Sequence, residues 1–340
     1  MRWALIGASD IAATQVLPAL RACGESPVIV CSSDVDRAKT YAQAHDVPAS
    51  TTDLHAALES GAEAAYVSST NEKHFDQAMS AIDAGLHVLC EKPLALAVVQ
   101  AQEMVDAATR AGVVLATNHH LRNSPVHQTM RLLLEEGTVG QPLAVRVAHA
   151  VLLPERLRGW RLHSPEAGSG VTLDITVHDV DTIRFVTGME PTRVTAVGAN
   201  QGLGTAAADA VMTTGLLGDG VLFSTHDAFT VPHAVTGFEV HGTAGSLIGA
   251  NCMTPAPVGG LSLLRDGVRS DVQLPEVDSL YSPNVEAFVS AVRGEGQPIA
   301  TGDDGRRSLE VALAVLESLN SGRTIDIDLD TPKPARQETM

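Results

Sequence analysis

The chain has 340 residues, 44% of them hydrophobic and only 3% aromatic, which allows about two domains with mainly aliphatic cores. Its 23 Lys and Arg residues stand against 40 Asp and Glu residues, giving a net charge of −17. This charge disfavours a general nucleic-acid binder and a protein that docks on anionic membranes, because both need a basic surface.

The cysteines and the N-terminus indicate the cellular setting. Four scattered cysteines form no Cys-x-x-Cys pair, so we expect reduced thiols and a cytoplasmic protein. The N-terminal apolar run reaches Asp10 too soon for a signal peptide. No stretch approaches the roughly 20 apolar residues of a membrane span. The expected partners are therefore small molecules, with neither nucleic acid nor membrane.

Residues 1–120 alternate short apolar strands with amphipathic helices. Continuous apolar strands predict a parallel sheet covered by helices on both faces, the doubly wound Rossmann arrangement of an α/β domain. Asp34 is expected to cap the second helix. The expected strands are 3–7, 28–31, 64–67, 87–90 and 113–116, and the expected helices are 11–20, 34–45, 53–58, 72–84 and 101–111.

After residue 120 the pattern changes to strands separated by Gly-rich turns, which is typical of an antiparallel sheet. We predict a second domain, 121–330, of α+β class with an open, mainly antiparallel sheet, followed by a flexible tail, 331–340. Its expected elements are a helix at 126–136, a strand at 144–151, a loop at 153–170, a helix at 172–185, strands within 193–274, and helices at 284–292 and 306–319, the last capped by Gly302-Asp303-Asp304.

The turn between the first strand and the first helix is a degraded Gly-x-Gly-x-x-Gly motif, Gly7-Ala8-Ser9-Asp10-Ile11-Ala12. Only the first glycine is kept, and Ser9 and Ala12 occupy the other glycine positions. A helix N-terminus favours an anion, so this turn is the expected site for the phosphates of a dinucleotide. An ordinary strand-to-helix turn is the alternative.

The end of the second strand carries Ser32, Ser33, Asp34 and Arg37. Hydroxyls and an arginine here suit the 2′-phosphate of NADP, whereas a carboxylate suits the ribose of NAD. The pattern favours NADP(H). NAD(H) is the alternative, in which Asp34 serves the ribose.

Lys92 lies in the segment Glu91-Lys92-Pro93, directly after an apolar strand. The ligand crevice of an open α/β sheet lies at the carboxyl ends of its strands, so we expect Lys92 to point into it and polarise a carbonyl. Asn118 and His119 follow the next strand and are expected to line the same crevice. A surface lysine in a loop is the alternative.

Asp174, His178 and Asp181 have the spacing i, i+4 and i+7, which predicts one face of a helix. A carboxylate beside a histidine raises the pKa of the imidazole toward that of a general acid. Trp160 and Arg161 precede this helix and are expected to form a lid over a polar substrate. The alternatives are an ordinary polar helix face and a loop anchored by a buried tryptophan. No metal is expected, because metal-ligand spacing is lacking among the histidines 119, 120, 127, 163 and 226.

Together these segments resemble the glucose–fructose oxidoreductase/inositol dehydrogenase (Gfo/Idh/MocA) family over nearly the whole chain. The resemblance implies NADPH-dependent reduction of the C2 ketone of 1,5-anhydro-D-fructose to 1,5-anhydro-D-mannitol, by a monomer or a homodimer. The alternatives are an NAD(P)-dependent enzyme for another polyol or cyclic sugar, such as inositol, and a non-catalytic dinucleotide-dependent sensor. The segments that carry the resemblance are 2–9, 66–74, 87–95, 117–123, 159–162, 173–179, 226–229 and 237–243.

The resemblance also implies roles for individual residues. His178 would donate a proton, Lys92 would stabilise the reacting oxygen, and Asp174 would hold the polar network. These three residues, with His119, Trp160 and Arg161, would bind the sugar. The implied cofactor contacts are Gly7, Ser9, Asp10, Ile11, Ala12, Ser32, Ser33, Arg37, Ser69, Thr70, Asn71, His74, Glu91, Lys92, Asn118, Trp160 and Arg161.

Overall fold

The N-terminal part of the chain forms a six-stranded parallel sheet. The computed structural model describes residues 1–205, 207–218 and 220–328. The strands are β1 (Arg2–Ile6), β2 (Ser26–Cys31), β3 (Ala49–Thr51), β4 (Ala64–Val67), β5 (His87–Cys90) and β6 (Leu115–Thr117). Their order is β3-β2-β1-β4-β5-β6, and every pair is parallel. The predicted Rossmann arrangement is confirmed. The edge strand β3 was not predicted, because Ala49-Ser50-Thr51 contains no apolar run.

Helices cover both faces of this sheet. Asp34 caps α2 as predicted, since its carboxylate accepts a hydrogen bond from the backbone N–H of Arg37 at 2.7 Å. A π-helical turn, Ala12–Val16, precedes α1. The helices are α1 (Leu17–Ala22), α2 (Val35–Ala44), α3 (Leu54–Leu58), α4 (His74–Asp83) and α5 (Val98–Ala111).

The C-terminal part is built on a nine-stranded sheet. Its order is β14-β13-β12-β11-β7-β10-β9-β8-β15. The sheet is antiparallel except for the central β7–β10 pair, which is parallel. This agrees with the predicted open, mainly antiparallel sheet. The strands are β7 (Pro142–Ala150), β8 (Pro191–Ala199), β9 (Ala210–Leu217), β10 (Val221–Ala228), β11 (Gly237–Gly242), β12 (Ser246–Ala250), β13 (Gly260–Arg265), β14 (Val268–Val272) and β15 (Ile325–Asp326).

The helices of this part are α6 (Pro125–Glu135), α7 (Trp160–His163), α8 (Val177–Thr187), α9 (Ser282–Val292) and α10 (Gly302–Ser321). The predicted cap of the last helix is wrong by one residue. Thr301 caps α10, because its hydroxyl accepts from the Asp304 N–H while the Asp304 carboxylate accepts from the Thr301 N–H. The helix therefore starts at Gly302 and not near residue 306.

Core packing fixes where the two sheets meet. Leu173, in the π-helical turn Thr172–Thr176 that precedes α8, and Val177, the first residue of α8, are buried in the same cluster as Val67, Val88 and Cys90 of the Rossmann sheet. This contact brings the start of α8 against the carboxyl ends of β4 and β5. In the described part of the chain, no helix has the length and apolar character that crossing a membrane requires.

The predicted division of the chain at residue 120 stays a prediction. Helices α9 and α10 return to the Rossmann sheet: Phe288 packs on Trp3 with ring centroids 5.1 Å apart, and Leu309 joins the cluster that holds Val88. The predicted flexible tail, 331–340, lies outside the described residues.

Candidate active site

Lys92 and Asp174 form a largely buried ion pair between the two sheets. The Lys92 ammonium donates to Asp174 Oδ1 at 2.8 Å and to the Asp174 carbonyl at 2.7 Å. The two side chains are 12% and 16% exposed. Arg161 Nε lies 3.3 Å from Asp174 Oδ2. Burial favours the neutral acid, but Lys92 and Arg161 outweigh it and hold the pKa of Asp174 well below its usual range. Asp174 is therefore a fixed anion.

His178 is buried in a cluster of imidazoles. Its ring lies 5.0 Å from His120 and 6.0 Å from His119, centroid to centroid. Its Nδ1 has no hydrogen-bond partner among the residues that the structure describes. Burial, then Lys92 and the neighbouring histidines, lower the pKa of His178 well below its usual value. The prediction that a carboxylate raises this pKa is wrong, because Asp174 pairs with Lys92 and Arg161.

The segment that carries Asp174, His178 and Asp181 is not a regular α-helix at its start, so the predicted spacing of i, i+4 and i+7 does not hold for Asp174. Asp174 lies in a π-helical turn, Thr172–Thr176, where the residue spacing differs from that of an α-helix. Asp181 instead accepts two hydrogen bonds from Arg122, at 2.8 and 2.7 Å. Its Oδ2 lies 3.6 Å from His119 Nδ1. Asp181 thus belongs to a buried ion pair that supports the histidine cluster.

The turn after β1 has the shape that a dinucleotide phosphate requires. Gly7 adopts φ of 116°, and a Cβ there would lie 2.8 Å from the backbone of Ser68 and Ser69. Ser9 Oγ lies 2.8 Å from Ser68 Oγ and accepts from the Ala12 N–H at 3.2 Å. The tight turn, the small side chains and the hydroxyls fit a phosphate group at this helix start.

Asp10 and Ile11 complete this turn. The Asp10 carboxylate lies 3.4 Å from the guanidinium of Arg156, in the loop that precedes α7. Both side chains are largely exposed, so the pair stabilises the fold little. Its consequence is electrostatic, because Arg156 partly neutralises the carboxylate beside the phosphate turn.

The residues predicted to recognise the 2′-phosphate lie together at the end of β2. Arg37 Nε donates to Ser32 Oγ at 2.8 Å, and Arg37 Nη2 lies 3.4 Å from Ser33 Oγ. Asp34 is engaged in capping α2. The group therefore presents hydroxyls and a guanidinium, which are donors suited to a phosphate.

Six of the other predicted cofactor residues are held by internal hydrogen bonds. Each bond holds the side chain in one position. The contacts of these side chains with the cofactor stay predictions. The bonds are Ser69 to Gln77, Thr70 to Glu72, Asn71 to the Gly168 carbonyl, His74 Nδ1–H to the Pro93 carbonyl, and Tyr66 and Asn118 to Glu91.

Trp160 and Arg161 begin α7, and the Arg161 guanidinium lies 4.7 Å from the Trp160 ring centroid. Because Arg161 also reaches Asp174, this loop is tied to the Lys92 pair. Within the described residues, no group of three or more His, Cys, Asp and Glu side chains could hold a metal ion.

Two family models match the chain. The oxidoreductase-family NAD-binding Rossmann fold matches residues 1–119, and the GFO/IDH/MocA C-terminal domain matches residues 127–248. The chain is also 48% identical, over 96% of its length and 98% of the relative, to 1,5-anhydro-D-fructose reductase of Ensifer adhaerens. The chain belongs to the Gfo/Idh/MocA family.

The chain is also similar to more distant proteins. Myo-inositol 2-dehydrogenase of Thermotoga maritima is 25% identical over 89% of this chain and 92% of the relative. The structure of aldose-aldose oxidoreductase from Caulobacter crescentus has the same fold, with a TM-score of 0.87 at 23% identity over 96% of this chain and 99% of that one. The predictions of an oxidoreductase and of an NAD(P)-binding Rossmann fold are confirmed.

Sequence reasoning missed Tyr281 at the site of this Gfo/Idh/MocA member. The ring of Tyr281 stacks on His120, with centroids 4.7 Å apart and planes at 13°. Its hydroxyl is buried without a hydrogen-bond partner in the described part of the chain. No motif surrounds Tyr281 in the sequence, because only the return of the chain before α9 brings it to the crevice.

Acidification is expected to unfold this family member steeply below about pH 6.5, the usual histidine pKa. A histidine whose pKa is lowered on folding adds stability above its unfolded value, and this stability is lost as the pH falls toward the folded value. Burial is the main cause of each shift. It lowers the pKa of His120 to about 3, that of His119, His127 and His149 to about 4, and that of His178 well below its usual value.

Urea unfolding between pH 7.5 and pH 5 measures this loss. The free energy of unfolding is expected to fall as the pH is lowered. His120→Gln is expected to reduce this pH dependence by about 1.4 kcal/mol per pH unit, which is the contribution of one bound proton. His55→Gln, at an exposed position, is the matched control and is expected to keep the full pH dependence. A free energy of unfolding that is constant over this range would contradict the prediction.

Proposed function

We propose that this Gfo/Idh/MocA member is an NADPH-dependent reductase of the C2 ketone of 1,5-anhydro-D-fructose, with 1,5-anhydro-D-mannitol as product. The observation that carries the proposal is the 48% identity, over nearly the whole chain, to a reductase named for this substrate. The arrangement of Lys92, Asp174 and His178 supports it, since a fixed cation and an imidazole suit a carbonyl that becomes an alcohol.

Lys92 is the group that would stabilise the developing charge on the carbonyl oxygen. Bound NADPH supplies the hydride that the carbonyl carbon accepts. Two of the three N–H donors of Lys92 are held by Asp174, which leaves the third for the carbonyl oxygen. Because Asp174 stays ionised, Lys92 keeps its charge and direction throughout the reaction.

His178 would provide the proton that completes the alcohol. In the resting protein its imidazole is neutral at pH 7, because its pKa is lowered by burial and by Lys92. The ring must therefore take up a proton from solvent before it can act as an acid, and the negative charge that develops on the neighbouring oxygen favours this protonated form. His178 then donates this proton to the oxygen, as a general acid does.

The preference for NADPH over NADH is part of the proposal. Ser32 and Arg37 are already joined by a hydrogen bond of 2.8 Å at the end of β2. Asp34, the residue that would favour NADH, is occupied by the backbone N–H of Arg37. Both observations support recognition of a 2′-phosphate.

Replacing Arg37 by alanine is expected to raise KM for NADPH about tenfold or more, because a hydrogen bond to a charged group contributes roughly 1.5–3 kcal/mol. KM for NADH is expected to change little, since NADH lacks the phosphate. Lys39→Ala, at an exposed position on the same helix, is the matched control. An equal rise for NADH and NADPH would remove Arg37 from phosphate recognition.

A spectrophotometric screen tests the function itself. NADPH oxidation is followed with 1,5-anhydro-D-fructose and with a panel of keto sugars, and NADP⁺ reduction is followed with myo-inositol and other polyols. The proposal predicts the highest kcat/KM with 1,5-anhydro-D-fructose. Faster turnover of another polyol or cyclic sugar would assign that substrate instead, and turnover of none would favour a sensor.

A further inference from the structure

Two fully buried carboxyl groups lie beside the catalytic turn and take no part in the proposed reaction. Asp179 in α8 and Asp227 in β10 are both 0% exposed. The hydroxyls of Thr176 and Thr225 donate to Asp227 Oδ2, at 2.5 and 3.0 Å. One oxygen of each acid, Asp179 Oδ2 and Asp227 Oδ1, receives no donor from the described residues.

One shared proton accounts for both unpartnered oxygens. The two carboxyls are hydrogen-bond partners, and burial raises the pKa of Asp179 to about 7 and that of Asp227 well above its usual value. Two carboxylates in contact within a buried site repel each other too strongly for both to ionise. Asp227 therefore keeps the proton and donates it to Asp179, which stays a carboxylate above pH 7.

His149 connects this pair to the sugar pocket. Its Nδ1 lies 2.7 Å from Asp179 Oδ1, and the parallel register of β7 and β10 sets His149 opposite Asp227. The side chain is 12% exposed and lies within electrostatic reach of Lys92 and Asp174. Burial lowers its pKa to about 4, so the ring is neutral. Its Nδ1–H must then donate to the Asp179 carboxylate, which leaves a lone pair on Nε2.

Asp227 also reaches the catalytic residues by a second route. Asp227 accepts a hydrogen bond from the hydroxyl of Thr176, which lies between Asp174 and His178 in the chain. The carboxyl pair thus contacts both the turn that carries Asp174 and His149 on β7, the strand next to β10.

We propose that Asp179 and Asp227 act as a positioning pair for the sugar pocket. They hold His149 in the tautomer that presents Nε2 as an acceptor to a sugar hydroxyl, and they fix the Asp174–His178 turn through Thr176. The contact between His149 Nε2 and a sugar hydroxyl rests on the proposed function, whereas the tautomer of His149 does not.

The tautomer is measured by NMR on full-length protein labelled with ¹⁵N-histidine and saturated with NADP⁺ at pH 8, with His149→Gln used to assign the signal. The wild type is expected to carry the His149 proton on Nδ1. Asp227→Asn is expected to keep this tautomer, since an amide also donates to Asp179. Asp179→Leu is expected to move the proton to Nε2.

A wild-type His149 with its proton on Nε2 would overturn the proposal, and this outcome depends on no change to Asp179 or Asp227. An unchanged tautomer in folded Asp179→Leu would overturn it as well. Asp209→Asn is the matched control, because this buried carboxylate accepts three backbone N–H groups of the 201–204 turn. It is expected to lower stability and to leave the His149 signal in place.

A double-mutant cycle tests the sugar contact. His149→Ala and Asp179→Leu are each expected to raise KM for the sugar roughly tenfold, with NADPH affinity unchanged. The double variant is expected to match His149→Ala alone, since Asp179 acts through His149. Additive effects, or an unchanged KM in His149→Ala, would overturn the positioning role. A wild type that reduces no sugar would overturn the proposed function and leave the tautomer result standing.

Discussion

Replacing Lys92 by methionine is expected to lower kcat for sugar reduction by about 10²–10³-fold, the usual cost of losing one donor to a developing oxyanion. Methionine keeps the length and apolar part of the side chain but removes the ammonium that Asp174 holds. The effect belongs in kcat, because the charge on the oxygen exists only in the transition state. Steady-state kinetics with saturating NADPH and 1,5-anhydro-D-fructose measure it.

The fold is expected to survive this replacement, since Asp174 keeps Arg161 as a partner at 3.3 Å. Thermal unfolding checks that the loss is catalytic. Lys73→Met is the matched control, because Lys73 lies before α4 with half of its side chain exposed, and it is expected to keep wild-type kcat. A Lys92→Met enzyme with near wild-type kcat would disprove the role given to the ammonium.

Replacing His178 by glutamine is expected to lower kcat by about 10²–10⁴-fold, the range for loss of a general acid. The pH dependence gives a second readout. Because the pKa of His178 is lowered in the resting protein, its protonated fraction keeps growing as the pH falls below 6.5. Wild-type kcat/KM for reduction is therefore expected to rise from pH 7.5 to pH 6, and the variant is expected to lose this rise.

His163→Gln, at an exposed position at the end of α7, controls for the change of side chain. It is expected to keep both the rate and the pH profile. If His178→Gln shows the wild-type profile at a reduced rate, the proton comes from another group and His178 only shapes the pocket.

Local patterns in the sequence were sufficient for most of the fold. Apolar runs mark β1, β2, β4, β5 and β6, because buried parallel strands need no polar alternation. Asp34 could be assigned as a cap because its carboxylate bonds a backbone group only three residues away. By contrast, β3 has no apolar run, and the parallel pairing of β7 with β10 joins strands about 80 residues apart.

The candidate site was predictable to a smaller extent. Lys92 was predicted from its place after an apolar strand and Asp174 from its spacing to His178, and the structure joins them at 2.8 Å. The pKa of His178 was predicted in the wrong direction, because burial and neighbouring cations depend on segments far apart in the sequence. His149 and Tyr281 were missed for the same reason, since each reaches the crevice from a strand or helix that no motif marks.

The most direct test of the central claim is a crystal structure of the ternary complex with NADP⁺ and 1,5-anhydro-D-mannitol. The account predicts that the C2 oxygen of the sugar lies within hydrogen-bond distance of both Lys92 Nζ and a ring nitrogen of His178, with the nicotinamide on the other side of C2. A sugar whose C2 oxygen contacts neither residue would contradict the account.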